Sequence, residues 1–130
     1  MSFFAKILIV DDEEDFCQLI KKNLEATGEF KVFFAHNGQD GYHLAQIETP
    51  DLILLDVMMP DISGADVANV IKKDEKTRDI EIVFLTAIIK KEELGMESMR
   101  KIGENRYIAK PIKTQELVDC IKEVLKNKPL

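Results

Sequence analysis

The chain has 130 residues, of which 45% are hydrophobic and 32% charged, and its formal net charge is −6 at pH 7. A chain of this length forms one domain of ordinary size, and without a run of about 18 apolar residues or a secretory signal we expect a cytoplasmic protein that does not enter a membrane. The acidic balance argues against direct nucleic-acid binding, whereas clustered acids favour the binding of a cation.

The first predicted strand brings acidic side chains to its carboxyl end. Residues 6–10 are an apolar run rich in β-branched side chains, which is typical of a buried strand, and Asp11 and Asp12 follow it directly. From Glu14 to about Ala26 apolar residues recur at helical spacing, and Gly28 is placed to end that helix. The sequence therefore predicts a strand, a pair of carboxylates and a helix, in that order.

The third predicted strand ends in the residue around which the sequence is organised. Residues 30–35 predict the second strand and residues 38–48 the helix after it, and the unbroken aliphatic run at 52–55 then stops at Asp56. A continuous apolar run is typical of a parallel strand that helices cover on both faces. Taken alone, Asp56 is more typical of a helix cap or a turn than of an active site.

The remaining elements continue the alternation of strands and helices. In chain order they are a helix from about Gly64 to Lys73, a strand at residues 81–86, a helix from Ile88 to Lys101, a strand at residues 106–109 and a helix from about Thr114 to Lys126. The first of these strands ends in Thr86, and the second is followed directly by Lys110. Residues 127–130 are expected to be a terminus or the start of a linker.

The alternation predicts an α/β fold. Five strands and five helices in turn indicate a five-stranded parallel sheet with helices on both faces, joined by right-handed crossovers. All strands of a parallel sheet end at one edge, where such folds build their binding sites. The residues expected to meet at that edge are Asp11, Asp12, Asp56, Thr86 and Lys110.

These side chains suit phosphoryl chemistry with a divalent cation. Three carboxylates at one edge repel one another, so their proximity indicates a cation, and oxygen ligands favour Mg²⁺. Lys110 would supply a positive charge and Thr86 a hydroxyl donor for a phosphoryl group, and Asp56 would be the nucleophile that forms an acyl phosphate. Strand-end caps and a surface lysine explain each residue alone, but they do not explain all five together.

The sequence resembles the receiver domain of bacterial two-component response regulators, and the resemblance covers essentially the whole chain. The residues that carry it are Asp11-Asp12, Asp56 in the run Leu54 to Pro60, Gly64, Thr86-Ala87 and Lys110-Pro111. The resemblance implies a flavodoxin-like (CheY-like) fold with the strand order 2-1-3-4-5 and five helices on two faces. It also implies a cis peptide bond between Lys110 and Pro111.

The resemblance further implies a signalling switch that catalyses only its own phosphorylation and dephosphorylation. A histidine kinase or phosphotransfer protein would phosphorylate Asp56, and the signal would pass to a downstream protein or a fused output domain through helix four, strand five and helix five. A homodimer on activation is also compatible with the family. The implied roles are Mg²⁺ binding by Asp11, Asp12, Asp56 and the backbone carbonyl of Met58, phosphoryl binding by Thr86, Ala87 and Lys110, and switching by Thr86 and Tyr107.

Two departures and two alternatives accompany this interpretation. The segment between Thr86 and Lys110 is about two residues longer than in common receivers, so we expect an irregular fourth helix and a remodelled signalling face. We expect no output domain within the chain, so the protein would be a stand-alone receiver or the first domain of a larger regulator.

Two alternative functions are disfavoured. The main one is a Mg²⁺-dependent phosphohydrolase, but Met58 stands where such enzymes place a second acid. The other is a receiver that is never phosphorylated, but every site residue is present. Met58 and Ile88 are expected to shield an acyl phosphate from water.

Overall fold

The computed structural model describes residues 4–87 and 99–126 of the chain. Within these residues there are six strands and four helices. The strands are β1 (Ala5–Val10), β2 (Phe30–Ala35), β3 (Leu52–Asp56), β4 (Glu81–Thr86), β5 (Met99–Ile102) and β6 (Asn105–Ala109). The helices are α1 (Glu14–Ala26), α2 (Gly38–Glu48), α3 (Gly64–Lys73) and α4 (Thr114–Lys126).

The strands form one sheet in the order β2-β1-β3-β4-β6-β5. Every neighbouring pair is parallel except β5 and β6, which are antiparallel. The five parallel strands follow the predicted order 2-1-3-4-5 when β6 is counted as the fifth, which confirms the α/β flavodoxin-like fold. Because β1 and β3 lie inside the sheet and are covered on both faces, their side chains are almost all apolar.

The sheet separates two apolar cores. Along β1, the side chains of Ile7 and Ile9 pack in the core that includes residues of α1 and α4, whereas Leu8 and Val10 pack in the core that includes residues of α2 and α3. This alternation follows from the two-residue period of a strand. With both faces of the central strands filled, the carboxyl ends of these strands are held in fixed positions relative to one another.

The prediction of a fourth helix from Ile88 to Lys101 is wrong at its carboxyl end. Residues 99–102 form β5, and the rest of the predicted helix, residues 88–98, lies outside the described residues. Within residues 4–87 and 99–126 the sheet therefore has six strands instead of the predicted five, and β5 is antiparallel to β6. Sequence periodicity favoured a helix here, but pairing of β5 with β6 provides hydrogen bonds that a local pattern does not reveal.

Gly103 lies in the turn of the hairpin that β5 and β6 form. Ile102 pairs with Asn105, so Gly103 and Glu104 form a two-residue connection, and Gly103 has a φ of 61°. Two-residue hairpin turns require a positive φ at one or both central positions, and glycine adopts it without a steric penalty. Gly103, which follows the helix predicted for residues 88–101, is thus the first residue of a turn between two strands.

The helices begin and end where the sequence indicated. The side chain of Asn37 accepts a hydrogen bond from Asp40 N at 2.8 Å and caps α2, and Ser63 caps α3 through Asp66 N at 3.2 Å. Gly28 follows the last turn of α1 with a φ of 77°. None of the helices in the described ranges is long and apolar enough to cross a membrane.

Gly64 allows α3 to start directly against the end of β3. A Cβ atom on this residue would lie 2.3 Å from the backbone oxygen of Asp56, and Gly64 N donates a hydrogen bond to Val57 O at 2.9 Å. Any side chain at this position would push the loop away from the strand. Glycine at the start of α3 therefore helps to set the position of Asp56.

We expect Gly64→Ala to lower the free energy of unfolding by about 3 kcal/mol, because the added methyl group meets backbone that cannot rotate away. Gly28→Ala is the matched control. Its Cβ would have nothing within 4 Å, so only the left-handed backbone is penalised, by about 1 kcal/mol. Urea unfolding of both variants measures the difference. An equal loss in the two variants would show that the contact with Asp56 does not constrain the loop.

Candidate functional site

Three carboxylates meet at the carboxyl ends of the central strands. One oxygen from each of Asp11, Asp12 and Asp56 lies within 4.8 Å of the other two. Val10 and Leu55 are register partners in β1 and β3, so the residues that follow them stand side by side. Asp11 is 0% exposed and Asp56 is 7% exposed, whereas Asp12 is exposed. The structure therefore brings together three acids that are up to 45 positions apart in the sequence.

The surroundings of Asp56 disfavour its charged form. Burial and the neighbouring charge of Asp11 raise the pKa of Asp56 to about 6, although Met58 N donates a hydrogen bond to Asp56 Oδ1 at 3.2 Å and Lys110 also lowers this pKa. Each of these causes is electrostatic, and a cation held between the acids would oppose the first two. The donor set of three carboxylates fits a hard cation such as Mg²⁺.

Lys110 provides the positive charge at this edge. Its Nζ donates to Asp11 Oδ2 at 2.8 Å and also to Glu13 Oε1, and it lies 4.6 Å from the centre of the Phe16 ring. Burial lowers the pKa of Lys110, but the hydrogen bonds to Asp11 and Glu13 outweigh this and the pKa is raised. The peptide bond between Lys110 and Pro111 is cis, which confirms that prediction.

Glu13 is a partner of Lys110 that was not predicted from the sequence. The signal was present, since Glu13 is the third acid in the run that begins at Asp11. Glu13 is the residue before α1, and its backbone N–H donates to Asp11 Oδ1 at 2.9 Å. Asp11 thus accepts hydrogen bonds at both carboxylate oxygens, one from Glu13 and one from Lys110.

Thr86 and Tyr107 lie on one face of the neighbouring strands. Thr86 is the buried last residue of β4, and Lys110 N donates to its backbone oxygen at 2.9 Å. Two residues earlier on β4, Phe84 stacks on the half-buried Tyr107, with ring centres 5.3 Å apart and planes inclined by 23°. Because alternate residues of a strand share a face, Phe84 lies between Thr86 and Tyr107 on that face. Ala87 follows Thr86 and is exposed.

The loop after β3 lies between the site and α2. Both carboxylate oxygens of Asp61 accept backbone hydrogen bonds at the start of α2, from Gly38 N at 3.0 Å and Gln39 N at 3.1 Å. These bonds lower the pKa of Asp61. In the same loop the side chain of Met58 is 64% exposed. Ile88, which is expected to shield an acyl phosphate together with Met58, lies outside the described residues.

Comparisons with known proteins agree on one family. A family model described as the response regulator receiver domain matches residues 7–122. The chain is 42% identical over 121 residues to the phosphate regulon transcriptional regulatory protein PhoB of Pseudomonas aeruginosa, covering 93% of this chain and 52% of that protein. It is 34% identical over 119 residues to the polar-differentiation response regulator DivK of Brucella anthropi, covering 92% of this chain and 94% of that protein.

Solved structures give the same result for the fold. The response regulator receiver domain protein (CheY-like) from Methanospirillum hungatei has a TM-score of 0.78 with 25% sequence identity, over 96% of each chain. The response regulator from Desulfuromonas acetoxidans has a TM-score of 0.75 with 28% identity, covering 93% of this chain and 96% of that chain. The present chain spans about half the length of PhoB and almost the full length of DivK.

We expect Asp56→Asn to stabilise the metal-free protein at neutral pH. The pKa of Asp56 in the folded state is about 6, above its ordinary value of 3.8, so a protonated Asp56 stabilises the fold relative to a charged one. This stabilisation is complete below pH 3.8 and is lost as the pH rises through about 6. The rise corresponds to at most about 3 kcal/mol. Urea unfolding with a chelator at about pH 7.5 and about pH 4.5 should show a stabilisation that shrinks at the lower pH.

Asp61→Asn is the control with the opposite sign. The pKa of Asp61 is lowered, so its charged carboxylate stabilises the fold. This stabilisation is present above the ordinary pKa of the group and is lost as the pH falls through its pKa in the folded state. This variant should be less stable than the wild type at neutral pH, by a margin that narrows in acid. If Asp56→Asn were destabilising at both pH values, the charge of Asp56 would not be a cost to the fold.

Proposed function

The chain belongs to the response regulator receiver domain family, and on that basis we propose that it is the phosphoacceptor of a two-component signalling pathway, phosphorylated on Asp56 in the presence of Mg²⁺. The observation that carries the proposal is the meeting of Asp56 with Asp11 and Asp12, oxygen to oxygen within 4.8 Å, beside the ammonium of Lys110. The family is generally one of signalling switches, which agrees with a protein that acts on no separate substrate.

The acids supply the ligands that Mg²⁺ would need. The carboxylates of Asp11, Asp12 and Asp56 and the backbone carbonyl of Met58 would hold the ion, with water completing its coordination. Once bound, Mg²⁺ would offset negative charge on the transferring phosphoryl oxygens. Support for this ligand set comes from the raised pKa of Asp56, which is the response of a buried carboxylate to its own desolvation and to the negative charge of Asp11.

The transfer itself requires one nucleophile and several donors. A carboxylate oxygen of Asp56 attacks phosphorus, the new O–P bond replaces the N–P bond of a phosphohistidine, and the imidazole leaves with the electron pair. Lys110 would pair with a phosphoryl oxygen, and the hydroxyl of Thr86 and the N–H of Ala87 would donate hydrogen bonds to the others. Met58 argues against a phosphohydrolase, because a thioether beside Asp56 has no proton to give to a leaving group.

The signal would leave the site through aromatic side chains. Movement of the Thr86 hydroxyl toward a phosphoryl group would change the space next to Phe84, and the stacked ring of Tyr107 would respond. Tyr107 pairs with Arg100 of β5, so the response would reach the hairpin. We therefore propose that the output surface includes β5 together with β6 and α4, which are strand five and helix five of the predicted face.

The output surface is concave and charged. A cavity of about 580 Å³ lies between β5, β6 and α4. Its lining residues carry both signs of charge, and they include Lys101, Arg106, Glu116, Asp119 and Glu123. The proposed partners are a histidine kinase or phosphotransfer protein at Asp56 and a downstream protein or output domain at this surface, all in the cytoplasm. Because the PhoB relative is about twice as long as this chain, an output domain in the same protein is one form of that partner.

We expect acetyl phosphate with Mg²⁺ to add one phosphoryl group to the wild-type protein and none to Asp56→Asn, because only Asp56 is placed as the nucleophile. Intact-mass measurement follows the modification. Asp79→Asn makes the same chemical change at an exposed acid in the connection before β4, at the opposite end of the strands, and should be phosphorylated like the wild type. A chelator should abolish the reaction. Undiminished phosphorylation of Asp56→Asn would refute the assignment.

We also expect beryllofluoride with Mg²⁺ to change amide exchange in β5 and β6 more than in α2, since Tyr107 couples the site to the hairpin. Tyr107→Ala should still bind beryllofluoride but lose the response of β5. Hydrogen exchange followed by mass spectrometry measures both effects. A response confined to the surroundings of α2, or one that Tyr107→Ala leaves intact, would reject this route.

A further inference from the structure

Lys110 is held by an acid that the proposed reaction does not use. Glu13 accepts a hydrogen bond from Lys110 Nζ at the amino end of α1, outside the cluster of three aspartates. The Glu13 side chain is 62% exposed, whereas that of Lys110 is 10% exposed. The exposed carboxylate of Glu13 is thus paired with the Lys110 ammonium, which is largely shielded from water.

The contacts of Lys110 favour the α1 side of the site. Its Nζ contacts Asp11, Glu13 and the ring of Phe16. Among residues 4–87 and 99–126, the ammonium makes no hydrogen bond to Asp56, although the two charges are near enough to influence each other's pKa. Before phosphorylation the cation is therefore paired with neighbours of the phosphoacceptor and not with the phosphoacceptor itself.

We propose that Glu13 is a positioning residue that retains Lys110 at the start of α1 until a phosphoryl group on Asp56 competes for its ammonium. This inference rests on the proposed function. A phosphoryl group carries more negative charge than the Glu13 carboxylate, so the Lys110 ammonium pairs with the phosphoryl group once that group is attached to Asp56. Glu13 then returns to water, which costs little because most of its side chain is already exposed.

Asp11 differs from Glu13 as a partner of Lys110. It is fully buried, so its separation from Lys110 requires another cation in the interior, whereas Glu13 is already largely exposed to water. Glu13 stays close after release, because its backbone N–H is bonded to Asp11 Oδ1. The Phe16 ring would continue to attract the ammonium through its face. Glu13 is therefore the member of this group that can break its contact without damage to the fold.

Removing the Glu13 carboxylate should favour the phosphorylated form. An ion pair with one exposed partner shifts an equilibrium by about two- to fivefold. We expect Glu13→Gln to bind beryllofluoride about two- to fivefold more tightly than the wild type at saturating Mg²⁺, as measured by calorimetry. The gain should shrink at high salt, because the ion pair that it removes is screened.

Two further variants separate the contact from the charge. Glu14→Gln removes an acid one residue later, where the side chain is exposed and makes no hydrogen bond or ion pair within the described ranges, and it should bind like the wild type. Glu13→Asp keeps the charge but shortens the side chain, and an aspartate before α1 would turn to cap that helix. It should behave like Glu13→Gln. Wild-type affinity in Glu13→Asp would show that charge alone acts, which contradicts the proposal.

The outcomes also separate this inference from the proposed function. If the wild type binds beryllofluoride and Glu13→Gln binds it equally well or more weakly, then Glu13 does not retain Lys110, and the assignment of Asp56 is untouched. If the wild type does not bind beryllofluoride in the presence of Mg²⁺, the proposed phosphoacceptor function fails, and the role of Glu13 fails with it.

Discussion

The burial of like charges at the carboxyl ends of β1 and β3 is the constraint on which the rest of the site depends. Asp11 and Asp56 are both almost inaccessible to water, and each raises the electrostatic cost of the other. Lys110 offsets part of that cost, and it arrives from the far end of the chain, 99 positions after Asp11. The two apolar cores provide the stability that lets the fold tolerate this cluster of acids.

Much of the fold could be predicted because the central strands are buried on both faces and therefore consist almost entirely of apolar residues. The unbroken apolar run of β3 follows from helices on both faces of the sheet, and the acid that ends this run marked the site. Glu13 could not be identified in the same way. The sequence shows an acid before α1, but it does not show that the side chain of Lys110 turns toward that acid, since this depends on how β6 places its last residue.

The error at residues 99–102 has a different physical origin. Gly103 is compatible both with the end of a helix and with a two-residue turn, and the preceding residues carry no strict alternation that would favour a strand. Their strand conformation depends on β6, whose edge would otherwise be unpaired at the end of the parallel sheet. A partner outside the segment therefore decided its structure, and the two exposed basic residues Arg100 and Lys101 now lie on the outermost strand.

The hairpin of β5 and β6 differs from the carboxylate cluster in the sequence separation of its contacts. Its paired residues are at most nine positions apart, from Met99 to Ile108, whereas the ion pair of Lys110 and Asp11 joins nearly the two ends of the domain. A strand pair of short sequence separation forms quickly and can open alone, while the central strands, which pair across long stretches of the chain, open only with the rest of the domain. The outer strand can therefore open more readily than the central strands, while the carboxylate cluster around Asp56 stays assembled.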